Sequence, residues 1–404
     1  MSTLKYYVWL ASRKGVGAAS AGRALRHFGS AENVFFATSN ELKKIPEIRP
    51  DEHKALNDKD LSEPSDILAE CAKLGHRVVT IQDAEYPERL RNIYDPPIVL
   101  YVKGRLPAID EEAVIGVVGT RSCTPYGLKQ AEACGYELAR RGLIVATGLA
   151  KGVDNAAALG ALRGGGAVIG LLGCGIDVIY PPNAAQLYED VAAVGALISE
   201  YPPGTSAVGS NFPVRNRILS GISVGVAVVE APLRSGALIT ASRALEQGRD
   251  VFAMPGNVDS DASAGANALL RDGAIPMTTA ADIVAEYAEL FPLKIKSGAM
   301  RKVPLDKKLE KRLIAAAAEK PQQSSIEKTV DKPPVKDYIV TGTEKVVYDA
   351  LRSLLNKSGE PQAHLDDVIV ASALDAADAM GAMTMLEIDG IVDSHGGGYY
   401  SLAE

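Results

Sequence analysis

Between residues 113 and 290 short apolar, β-branched runs alternate with stretches of helical periodicity, and this alternation leaves few folds open. The runs fall at 114–118, 143–147, 167–172, 196–200, 224–229, 250–254 and 275–278. In the first intervening stretch Leu128, Ala131, Cys134 and Leu138 recur at helical spacing, and Gly142 stands where a C-terminal cap belongs. Short apolar strands separated by helices indicate βαβ units and a parallel sheet covered on both faces. The expected fold class is therefore α/β, a doubly wound Rossmann-like sheet.

In such a sheet ligands bind in the crevice outside the carboxyl ends of the strands. Six Gly- or Arg-bearing segments, read as turns, follow apolar runs here: Val118-Gly119-Thr120-Arg121, residues 147–154, Gly173-Cys174-Gly175, Phe212-Pro213-Val214-Arg215-Asn216-Arg217, Arg234-Ser235-Gly236 and Met254-Pro255-Gly256-Asn257. Glycines let a backbone approach a ligand closely, helix N-termini offer free N–H donors, and arginines supply fixed forks, a combination suited to phosphates. Six such segments on one edge suit a long polyanion. The expected site comprises Gly119, Arg121, Gly148, Lys151, Gly173, Gly175, Phe212, Arg215, Asn216, Arg217, Ser235 and Gly236. Arg215 and Arg217 flank Asn216 so that two guanidiniums can address neighbouring phosphates. Phe212 is either a core plug or a platform for stacking a base.

The rest of the chain reads as three further segments. Residues 1–75 suggest a small helical domain, of the SAM or helix-hairpin-helix type, with Trp9, Leu10, Leu25, Phe28, Val34 and Phe35 as core candidates. Its Gly15-Val16-Gly17 is either a DNA-gripping hairpin or an ordinary helix connection. The main domain is expected over 76–292, entered through an extended run at 77–81 and a Pro-bearing stretch at 95–102. Residues 293–340 carry 12 Lys and Arg against 6 Asp and Glu and read as a basic linker with one helix-like piece at 307–320. Residues 341–404 carry 3 against 11, and their three helical stretches followed by a Gly-turned hairpin suggest a winged helix.

Composition excludes several classes. The net charge of −7 argues against general coating of nucleic acid, so any nucleic-acid site must be local. No apolar run approaches the roughly 20 residues that span a bilayer, and the start lacks a signal-peptide core, so a cytoplasmic protein is expected. Cys71, Cys123, Cys134 and Cys174 form no Cys-x-x-Cys pair and read as buried thiols. The dinucleotide fingerprint is incomplete at residues 173–178, and no P-loop occurs. Gly221-Ile222-Ser223-Val224-Gly225 has the letters of a nucleophile elbow, but its strand follows the serine instead of preceding it. None of the five histidines falls in the α/β region. Asp154 and Glu230 are left as acid/base candidates, with helix capping and a strand end as their plainer roles. No catalytic residue, metal or cofactor is expected. The other reading is a phosphoribohydrolase-like enzyme whose segment 235–240 cradles a monophosphate.

Taken together, the segments 118–121 with Tyr126-Gly127, 148–154, 173–181, Ser199-Glu200-Tyr201-Pro202-Pro203-Gly204, 212–217, 235–240 and Pro255-Gly256 resemble the DNA-processing protein A family, also called Smf (DprA/Smf). The resemblance implies a protein of natural transformation that binds single-stranded DNA, loads the RecA recombinase and works as a homodimer. It also implies that Arg121, Gly148 and residues 212–217 line the single-strand pocket, and that helical and winged-helix modules flank it. One position departs: where the family commonly has a basic residue after Tyr180-Pro181, this chain has Pro182, and Lys151 is the expected substitute.

Overall fold

Six helices open the chain, α1 (Leu4–Ser12), α2 (Ala18–Phe28), α3 (Ala31–Phe36), α4 (Ser39–Leu42), α5 (Pro50–Asn57) and α6 (Ser62–Leu74). Their boundaries are written in the sequence: Gly29 and Gly75 take left-handed C-caps, and Thr38 with Glu41 closes a capping box. Trp9, Leu10, Leu25 and Val34 are buried, while Phe28 and Phe35 pack partly buried against them. In the computed structural model, which describes residues 3–295, 342–358, 362–388, 391–395 and 399–402, these helices belong to the same compact unit as the sheet. They share its core instead of standing as a free domain, since Tyr6, Trp9 and Cys71 fall in one buried cluster with Tyr101, Val117 and Val145.

The sheet has nine strands: β1 (Arg77–Thr80), β2 (Val99–Gly104), β3 (Val114–Val118), β4 (Ile144–Thr147), β5 (Val168–Leu172), β6 (Ala196–Ser199), β7 (Gly225–Val228), β8 (Asp250–Ala253) and β9 (Ile275–Pro276). All seven expected runs are strands. They lie in the order β1-β2-β6-β5-β4-β3-β7-β8-β9. Every neighbouring pair from β6 to β9 is parallel, whereas β2 runs antiparallel to both β1 and β6 and extends the edge, a placement that the Pro-rich approach to β2 did not disclose. The helices that follow the strands are α7 (Glu88–Arg91), α8 (Pro125–Arg140), α9 (Val153–Arg163), α10 (Ala185–Val194), α11 (Asn211–Ile222), α12 (Gly236–Glu246), α13 (Asp261–Arg271) and α14 (Ala280–Tyr287).

Alternation along each strand feeds two cores. Ile115 and Val117 join one cluster, with Leu138 and Ala157; Val114 and Val118 join the other, with Leu219 and Ala241. From β3 the chain winds outward through β4, β5 and β6, then returns to the other side of β3 for β7, β8 and β9. The order therefore reverses between β3 and β7, and the crevice beyond their carboxyl ends is where such sheets hold ligands.

The C-terminal unit is built from α15 (Gly342–Ser358), β10 (Ala363–His364), α16 (Leu365–Ser372), α17 (Ala376–Ile388), β11 (Val392–His395) and β12 (Tyr399–Leu402). Its three antiparallel strands lie in the order β10-β12-β11 beside three helices, around Val347, Leu351, Val368, Met383, Leu386 and Val392. This is a winged helix, as expected. Residues 296–341, which hold most of the basic linker and the helical piece expected at 307–320, lie outside the described residues. Among the described residues no helix is long and apolar enough to cross a membrane.

Candidate nucleic-acid interface

The loops beyond β3, β4 and β5 and the N-terminal ends of α11 and α12 meet at the sheet's carboxyl edge. Residues 212–217, a turn by sequence pattern, form the first turns of α11 instead. Pro213 is compatible with this because it lies where a helix has no use for the backbone N–H. The helical setting changes what the two arginines can do. Residues two apart on a helix point to different faces, so Arg215 and Arg217 diverge and do not form a paired fork.

Arg215 is 5% exposed and turns into the sheet, where it donates to the Leu171 carbonyl. Its guanidinium lies against Gly148: a Cβ there would stand 2.2 Å from Nη1 and 2.4 Å from Nη2. Asp154 lies nearby and accepts from the Gly148 amide at 3.0 Å. It reaches back to the loop and does not cap α9. Burial pushes the Asp154 carboxyl up and the Arg215 guanidinium down, and each shift is opposed by the charge of the other. Arg217, 4% exposed, faces Glu200 at 2.6 Å and Asp95 at 3.2 Å. Asn216 donates to the Gly236 carbonyl at 3.3 Å and ties α11 to the start of α12. These three are framework residues of the edge.

The glycines divide in a similar way. A Cβ at Gly119 would meet Val153 at 2.6 Å, one at Gly173 would meet the Phe212 ring at 2.8 Å, and one at Gly175 would meet Pro202 and Thr205 at 2.8 Å. Gly148 is filled by Arg215. The room at these four is therefore taken by protein atoms, because the first turns of α9 and α11 and the segment at 202–205 press on the strand-end loops. Gly152, at φ +88°, also lies close to backbone, with a Cβ only 2.4 Å from the Thr120 carbonyl. Gly236 alone among the five expected glycines has nothing within 4 Å. It opens α12, an 11-residue helix whose N-cap, Ser235, accepts from the Ala237 amide at 3.2 Å.

What faces outward is a smaller group. Arg121 lies with its guanidinium 5.3 Å from the Phe212 ring centroid, and Phe212 packs on Tyr180 at 5.4 Å with planes tilted by 36°. All three are half-buried, so ring faces and a cation sit together at the mouth of the crevice. Lys151 and Arg234 are exposed on adjoining segments. Among the described residues none of the three cations makes an ion pair. Tyr180 joins this cluster although the sequence offers no signal for it beyond its place in the segment 173–181.

The remaining candidates have plain structural roles. Ser223 is fully buried and donates to the Leu219 carbonyl at 2.7 Å. Glu230 is buried against Thr124. Glu246 ends α12 in an ion pair with Arg243 at 2.8 Å, one helix length from Ser235. Burial raises the Cys71 and Cys174 thiols to about 11 and Cys134 to about 12. Among the described residues no cluster of three or more His, Cys, Asp or Glu side chains could hold a metal ion.

A doubly wound sheet whose strand-end edge carries cations that make no ion pair among the described residues, beside aromatic rings, on a chain that also holds a winged helix, defines the class: Rossmann-like proteins equipped for polyanions. The family model of DNA recombination-mediator protein A matches residues 77–288, and that of the DprA winged helix domain matches residues 343–398. Protein Smf of Synechocystis is 32% identical over 406 residues, 99% of each chain. DNA processing protein DprA of Streptococcus pneumoniae is 42% identical over 208 residues, 52% of this chain and 73% of the relative. The X-ray structure of DprA from Streptococcus pneumoniae aligns with a TM-score of 0.63 at 33% identity, covering 71% of this chain and 99% of that one. The chain belongs to the DNA recombination-mediator protein A (DprA/Smf) family, and its role lies in DNA processing.

Proposed function

We propose that this protein is a non-enzymatic mediator that binds single-stranded DNA at the carboxyl edge of its sheet and hands it to the RecA recombinase during transformation. The observation that carries the reading is the Arg121–Phe212–Tyr180 cluster, in which a cation that makes no ion pair among the described residues lies over an aromatic ring at the mouth of the crevice. A guanidinium so placed meets a phosphate while the ring offers a face to an unpaired base, and neither contact reads sequence. Lys151, Arg234, Ser235 and Gly236 extend the path with two further cations and a helix N-terminus. Gly119, Gly148, Gly173, Gly175, Arg215, Asn216 and Arg217 serve it by fixing the loops. Action in the cytoplasm as a homodimer, without a cofactor, completes the reading.

The test is fluorescence anisotropy of a labelled single strand over a salt series, with duplex as competitor. Wild type should bind, prefer single strand, and lose affinity with salt at a log–log slope of about −0.7 per phosphate contact. Arg121→Ala should lower affinity and flatten the slope by about one contact. Lys151→Ala should do the same if Lys151 replaces the basic residue absent at Pro182; unchanged affinity removes it from the path. No binding at low salt would sink the proposal. The hydrolase reading has no comparable observation in its favour, because Glu246 and Ser235 stand at opposite ends of α12.

A further inference from the structure

The loop that carries Arg121 is held at both ends by one residue from a different strand. The Glu230 carbonyl, two residues beyond β7, accepts from the Thr120 amide at 2.7 Å. Its carboxylate accepts from the Thr124 amide at 2.8 Å through Oε2 and from the Thr124 hydroxyl at 2.7 Å through Oε1. Only Arg121, Ser122 and Cys123 lie between the two fixed points. A span so short has few conformations left, so the entropy of placing Arg121 is met on folding and not on binding.

The surroundings keep the carboxylate from moving. Glu230 is 1% exposed, and a Cβ at Gly127 would stand 2.3 Å from Oε2, so the first turn of α8 presses directly on it. Thr124 is also the N-cap of α8, accepting from the Gly127 amide at 3.1 Å. The loop, the helix start and the end of β7 are therefore one joint. Among the described residues no ion pair reaches Glu230. On electrostatic grounds a carboxylate beneath an anion-binding loop works against the ligand, which leaves geometry, together with its favourable place at a helix N-terminus, as the reason for this residue here.

We infer that Glu230 is a positioning residue for nucleic-acid binding: by clamping residues 120 and 124 it holds the Arg121 guanidinium over Phe212, in the pose that meets a phosphate. The inference rests on the single-strand reading above and adds to it a residue that never touches the ligand. It also replaces the acid/base role open to Glu230 from sequence.

A double-mutant cycle in the full-length protein tests it, with single-strand anisotropy as readout and thermal unfolding recorded for every variant. Glu230→Ala should weaken binding about tenfold, the scale of losing a hydrogen bond to a charged group, and flatten the salt slope by about 0.7. In an Arg121→Ala background the same change should cost less than about twofold, since the residue it positions is gone. Glu230→Gln, of equal shape, keeps an acceptor for the Thr124 amide and should fall between wild type and Glu230→Ala; it serves for the cycle if Glu230→Ala does not fold. Equal losses in both backgrounds, or no loss in the wild-type background, would overturn the inference while leaving the single-strand reading intact. If Arg121→Ala alone changes nothing, the binding reading itself fails, and this inference with it.

Discussion

Gly148 shows how a residue chosen for closeness to a ligand can instead be chosen for closeness to a neighbour. With a Cβ 2.2 Å from Arg215 Nη1, Gly148→Ala must displace a guanidinium that is buried and bonded to Leu171. A loss of about 1–3 kcal/mol in urea denaturation is expected, the range for overpacking; an unchanged midpoint would mean that Arg215 has room to move. Arg217 makes a related point. Arg217→Met leaves Glu200 and Asp95, 20% and 33% exposed, without their cation. Partial solvent access brings the expected loss to about 2–3 kcal/mol, below that for breaking a fully buried pair. The folded variant should lose less single-strand affinity than Arg121→Ala and keep the wild-type salt slope, because Arg217 supports the path without contacting phosphate. Lys59 offers a pH test. It lies over Trp9 and Phe35 and donates to the Val34 carbonyl, and burial lowers its ammonium to about 8. The unfolded chain holds this proton up to about pH 10.4. Between these values the unfolded state binds more protons, so native stability from this site rises with pH. Wild type should therefore gain stability relative to Lys59→Met from pH 8 to about 10.4, and a flat difference would refute the shift.

Among elements, α11 and α17 are the instructive pair. α11 has a proline and two arginines in its first turns, a composition that reads as a phosphate-gripping turn; packing on β5 and α12 makes it a helix whose cations brace the sheet. α17 occupies the place of a recognition helix, where a groove-reading protein needs Lys or Arg to neutralise phosphate. It has none, and the sequence from Ser358 to Glu404 contains neither residue. Removing residues 341–404 should accordingly leave single-strand affinity within about twofold and should not reduce the salt slope, which counts phosphate contacts. A clear fall in either would place the winged helix on the nucleic acid.

For the whole molecule, a net charge of −7 sets a general repulsion against a local grip. Few contacts then carry the binding, and the three exposed or half-buried cations Arg121, Lys151 and Arg234 should account for most of a shallow salt slope, near −2 on the single-strand scale of about 0.7 per contact. A slope several times steeper would require a second basic surface.

The periodicity of residues 113–290 determined the strands, their parallel pairing and the edge on which the proposed site lies, because apolar alternation and chain reversals are local properties that tertiary packing here reinforced. Arg121, Lys151 and the N-terminus of α12, which are proposed to line the site, could be named from the sequence for the same reason: each lies in the first segment after a strand. Tertiary structure alone decided which of two arginines on α11 faces Leu171 and which faces Glu200. It also decided that Gly119, Gly148, Gly173 and Gly175 are filled by protein, that Tyr180 joins Phe212, and that Glu230 closes on Thr124. Each of these depends on a contact between segments far apart in sequence, and no local pattern encodes the distance between them.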